Sequence, residues 1–129
     1  MMHNVNIERA VLSSFLYNPE LFFSTQSKLT YEDFYIPSHR FIYEAICTIT
    51  SEDKPIDEEF IRVELLKNGR FDEDTMLEIT ATNPLPNIDA YIEELRIKAQ
   101  NRSIHELTTE VKKKLSEHEN VHDILGFIS

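Results

Sequence analysis

The feature that most constrains this chain is a run of thirty residues, Ile88 to Glu117, that contains neither proline nor glycine. Such a run predicts one continuous α-helix, and at 1.5 Å per residue its length is about 45 Å. A helix of that length cannot lie wholly on a head built from the 87 residues that precede it. Its apolar pattern also changes face. Ile88, Ile92, Leu95 and Ala99 share one side, whereas Ile104, Leu107, Val111 and Leu115 cluster about a third of a turn away. The change falls at Gln100 to Ser103. The first half can therefore pack on the head, while the second half must bury its stripe against a returning helix, a second copy of the chain or another protein. DILGFIS, at the end of the sequence, reads as the opening of a returning helix. The expected fold is all-α: a compact multi-helix globular head over residues 1–86, then residues 87–129 as a long helix and the start of a truncated helical hairpin.

The head reads as a series of shorter helices. Asn6 is placed to cap a helix carrying Ile7, Ala10, Val11, Phe15 and Leu16, which Asn18-Pro19 ends. Pro19 suits the first turn of a short helix through Leu21, Phe22 and Phe23, and Thr30 with Asp33 forms a capping-box variant before Phe34. A longer helix follows from Ser38 to about Thr50, with Phe41, Ile42, Ala45, Ile46 and Ile49 on its buried side. In the KPID loop, Asp57 caps a helix that Gly69 closes. The next, about Asp72 to Thr82, buries Met76, Leu77 and Ile79. Two prolines in NPLPN mark Asn83 to Asn87 as the main boundary.

Several function classes are excluded by what the chain carries. With only Gly69 and Gly126, neither a phosphate-cradling loop nor a dinucleotide fingerprint can form, so the chain alone is not expected to hydrolyse ATP. A net charge of −10 has the wrong sign for a domain held by nucleic-acid phosphates. Direct nucleic-acid contact through Arg96, Lys98, Arg102 and Lys112 to Lys114 is not expected, because seven acids between Asp89 and Glu119 offset these six bases. No apolar run approaches the ~20 residues of a membrane span and no signal peptide is recognisable, so the chain reads as cytoplasmic. The single cysteine, Cys47, reads as a small packing residue. Ten carboxylates between Glu52 and Glu78, against four basic residues, form either a solvated helical surface or a docking surface for a basic partner.

HENVH, His118 to His122, spells the H-E-x-x-H pattern of zinc metalloproteases. A catalytic zinc needs a third protein ligand, and only Asp123 remains between His122 and Ser129. The polar stretch Glu117 to Asn120 reads instead as the tip of a hairpin, with Asn120 capping the second arm. His3, His39 and His105 are scattered and read as surface or cap residues. No metal or cofactor site is expected in this chain.

NIERAVLSSFLYNPELF, DFYIPSHRFIYEAI, the KPID loop and NIDAYIEELRIKA, in this order and spacing, resemble the N-terminal domain of the bacterial replicative DNA helicase, the DnaB family. The resemblance runs from about Val5 to Leu115. It implies a helical head followed by a hairpin through which subunits pair into a dimer and, in the full-length protein, a hexameric collar. It further implies docking of the helicase-binding domain of primase, with ATP and magnesium confined to a separate C-terminal motor domain. In that frame Ile104, Leu107, Val111 and Leu115 would bear the subunit or primase contact, and Glu8, in an IE pair matching the family, would face the partner. The departures are Ser13 in place of a common glycine, Phe71-Asp72-Glu73-Asp74 in place of a glycine pair, and Met1 to Asn4 in place of prolines. The alternative is a free-standing helical adaptor or regulator with the same fold.

Overall fold

The computed structural model describes residues 4–117. Among these, six α-helices and two short 3-10 turns account for the regular structure. They are α1 (Val5–Tyr17), α2 (Glu20–Thr25), 3-10 turns at Gln26–Lys28 and Tyr31–Asp33, α3 (Pro37–Ser51), α4 (Glu58–Lys67), α5 (Glu73–Thr80) and α6 (Ile88–Ser116). The all-α expectation holds. The second arm of the hairpin, and HENVH with it, lie outside the described residues.

Local signals set several helix ends. Asp57 accepts the Phe60 N–H at 2.8 Å and caps α4. Thr30 and Asp33 form the reciprocal capping box around the second 3-10 turn. Gly69, at φ +67°, ends α4, and the Arg70 N–H closes on the Leu65 carbonyl at 2.8 Å. Asp53 has the same left-handed conformation just past α3, at φ 59°. The first cap differs from expectation. Asn4, not Asn6, caps α1 by accepting the Ile7 N–H at 3.1 Å, so the helix starts earlier and Asn6 lies inside its first turn.

Contacts divide the chain into two compact units, Met1–Ala99 and Gln100–Ser129. The first holds the head together with the beginning of α6, whereas the division at residue 86/87 separates elements of secondary structure. Its core joins Val11, Leu12 and Phe15 of α1, Phe22 of α2, Ile42, Tyr43, Ile46 and Ile49 of α3, Ile61 and Leu65 of α4, and Met76 and Ile79 of α5. Ile88, Ile92 and Leu95 complete it from α6. Phe15 and Phe22 meet edge to face, with ring centroids 5.6 Å apart. Leu77, expected in the core, is 55% exposed. The short α5 buries Thr75, Met76 and Ile79, and Leu77 falls on its opposite side.

The connection from α5 to α6 is held by side chains of α1. Ser13 donates to the Thr82 carbonyl at 2.6 Å, Ser14 accepts the Leu85 N–H at 2.8 Å, and Tyr17 donates to the Thr80 carbonyl at 3.1 Å. Ser13 is fully buried, and its hydroxyl gives the Thr82 carbonyl a donor that a glycine there would not supply.

Candidate functional site

Glu8, expected from the resemblance to face a partner, is buried inside this chain. Its side chain has no exposed surface, because α1 turns it toward the segment leading into α3. There its carboxylate accepts the Tyr35 N–H at 2.8 Å and the Ile36 N–H at 3.2 Å. His39 Nδ1 lies 2.8 Å from the same group, and the tautomer with hydrogen on Nδ1 is assigned from that contact. These donors meet the Ile36 and Pro37 entry into α3, where proline removes one backbone N–H and the extended Ile36 leaves others to be satisfied. Glu8 is thus an internal strap between α1 and α3. His39, read from sequence as a surface or cap residue, is its buried partner.

Both residues stand on the apolar stripes of their own helices. Glu8 precedes Val11, Leu12 and Phe15 by three, four and seven positions, and His39 precedes Ile42 and Ile46 in the same way. That placement is the signal that could have found the pair: a charged residue in a core register needs a partner.

The other four candidate residues lie together on the second half of α6, in the unit Gln100–Ser129. Ile104 is 62% exposed, Leu107 45% and Leu115 55%, and Val111 is half-buried. Spacings of three and four residues put them on one side of the helix. Exposed aliphatic side chains in such a row offer hydrophobic association and no acid–base chemistry. On the first half of α6, Arg96 and Lys98 make short-range ion pairs with Glu93 at 3.7 Å and Glu94 at 3.5 Å.

Remaining reactive groups are set in structural surroundings. Cys47 is an exposed residue of α3 rather than a core one. Burial around its sulfur nevertheless pushes the thiol pKa up, the hydrogen bond with Tyr43 opposes this, and Glu44 adds to it. Burial likewise raises the Tyr43 hydroxyl above its usual range. Among the described residues no three His, Cys, Asp or Glu side chains converge as a metal site, and no helix is long and apolar enough to cross a membrane.

Comparison with known proteins gives a consistent family. A profile of the DnaB-like helicase N terminal domain matches residues 1–97. The chain is 33% identical over 124 residues to the replicative DNA helicase DnaB of Helicobacter pylori (strain ATCC 700392 / 26695), covering 95% of this chain and 25% of that protein. A probable replicative DNA helicase of Trieres chinensis is 32% identical over 110 residues, covering 81% of this chain and 24% of the relative. The chain therefore spans about a quarter of the length of these relatives. Among solved structures, the N-terminal domain of DnaB helicase from Helicobacter pylori, described with its interactions with primase, superposes with a TM-score of 0.81 at 32% identity, over 86% of this chain and 90% of that one. The corresponding domain from Mycobacterium tuberculosis gives 0.86 at 22% identity, over 96% and 92%, a likeness of fold. The family match and the shared helical architecture together establish that this chain belongs to the DnaB-like helicase N-terminal domain family.

Proposed function

We propose that this chain serves as the non-motor N-terminal domain of a replicative DNA helicase, pairing subunits during hexamer assembly and docking primase. The observation that carries the reading is the stripe Ile104, Leu107, Val111 and Leu115, exposed or half-exposed on a helix of this family's N-terminal domain. Burying such a row against a second protein removes apolar surface from water at about 25 cal/mol per Å². The Helicobacter pylori domain, 32% identical, supports primase as the partner. ATP and magnesium are assigned to the motor domain of the whole helicase, since the two glycines of this chain form no phosphate loop.

The test is Ile104→Asp, assayed by sedimentation for self-association and by titration with the helicase-binding domain of primase. A charge in the stripe is expected to weaken one or both while circular dichroism shows the head still helical. Assembly and primase binding both equal to the parent's would remove Ile104 from the contact.

A further inference from the structure

Away from the α6 stripe, the head carries a groove of a different chemical character. Between the end of α1, the end of α5 and the start of α4, the side chains of Leu16, Tyr17, Asp57, Glu58 and Thr80 line an open groove of about 250 Å³. Its walls combine two chemistries. Tyr17 is 63% exposed, yet its hydroxyl is held by the Thr80 carbonyl at 3.1 Å, so the ring is an ordered aromatic wall. Leu77, 55% exposed, continues the apolar surface one turn before Thr80.

The charges around it are unbalanced. Asp57 and the elements that border the groove carry the carboxylates Asp57, Glu58, Glu59, Glu64, Glu73, Asp74 and Glu78, besides the buried Glu8, against Arg9, Arg62 and Lys67. Arg62 is committed to Glu58 at 3.0 Å and Glu73 at 3.1 Å, and Arg9 to Glu78 at 2.7 Å. Asp57 uses Oδ1 to cap α4 and Glu58 uses Oε1 for Arg62. Each carboxylate has a second oxygen beyond these bonds, and both residues line the groove.

We propose that this groove receives an arginine or lysine side chain from a basic, apolar-flanked segment of a partner protein. The aliphatic stem lies against Leu16 and Tyr17, the cationic head meets Asp57 and Glu58, and neighbouring apolar residues of the segment cover Leu77. A positive head beside an aromatic ring and two carboxylates gains both cation–π and ion-pair attraction, and its stem needs the apolar wall that the groove supplies. The net charge of −10 steers such a segment toward this chain, and the groove fixes where it lands. This goes beyond the proposed function, because every residue involved lies in the unit Met1–Ala99 and none on the α6 stripe.

The experiment is an NMR titration of the full 129-residue chain with a short amphipathic peptide of leucine, alanine and arginine, and with its twin bearing glutamate for arginine. The arginine peptide should shift the amides of Tyr17, Glu58 and Thr80, and the glutamate peptide should not. Tyr17→Ala and Glu58→Gln should each weaken binding roughly tenfold, with the spectrum otherwise folded. Equal binding by both variants, or shifts spread over all acidic surfaces and matched by magnesium chloride or spermine, would overturn the groove. Primase binding lost by Ile104→Asp without any peptide response here would remove this inference and leave the proposed function standing. The converse result would remove the proposed function and leave the groove.

Discussion

Glu8 and His39 stand 31 residues apart in sequence, yet their side chains meet at 2.8 Å inside the head, both with at most 2% of their surface exposed. Two backbone N–H groups share the same carboxylate. Glu8→Ala leaves the buried His39 donor and two part-buried backbone N–H groups without this acceptor, and the expected loss is about 3 kcal/mol of folding stability. Glu8→Gln, which keeps one acceptor oxygen, should lose less. Urea unfolding of the two variants measures this, and a loss below about 1 kcal/mol for Glu8→Ala would show that the strap is dispensable.

Ser14 supplies the acceptor for the Leu85 N–H and returns its own hydrogen to the Ala10 carbonyl. Ser14→Ala should cost about 1–2 kcal/mol. The local signature is faster hydrogen exchange at Leu85 than at core amides of α3. Unchanged exchange there would mean the contact does not hold the connection.

Gly69 has open space around its Cβ direction, so its value lies only in its left-handed backbone. Gly69→Ala is expected to destabilise the head by about 1–2 kcal/mol with an unchanged denaturant slope. A more stable variant would contradict this account of how α4 ends.

The Cys47 thiol has a raised pKa because burial disfavours its thiolate. A raised value leaves less thiolate at neutral pH, and the fraction grows as pH rises toward the shifted value. Alkylation by iodoacetamide should therefore run slower than for free cysteine at neutral pH, with its half-maximal rate at a higher pH than that of free cysteine. A half-maximal pH below that of free cysteine would reverse the sign and refute the account.

How far these features can be read in the sequence depends on how local their causes are. Asp57, Gly69 and the Thr30–Asp33 box act within a few residues, and each is visible as a short pattern. Asn4 and Asn6 are chemically alike caps two positions apart, so the pattern alone does not choose between them; the helix takes the earlier one. The Glu8 strap spans 27 to 31 residues, and its donors are mostly backbone groups, which carry no residue signature. The α6 stripe was legible because a change of face within one unbroken helix is a pattern in the residues themselves. The groove at Tyr17 was not, since it is assembled from three helices.

The three bonds from Ser13, Ser14 and Tyr17 to the backbone of residues 80, 82 and 85 have a mechanical consequence. The α5–α6 connection is riveted to α1 before α6 begins. Tension applied along α6 is therefore handed to α1, and from there through Glu8 to α3, so the longest helices of the head share a pull that the short α5 alone would have to resist.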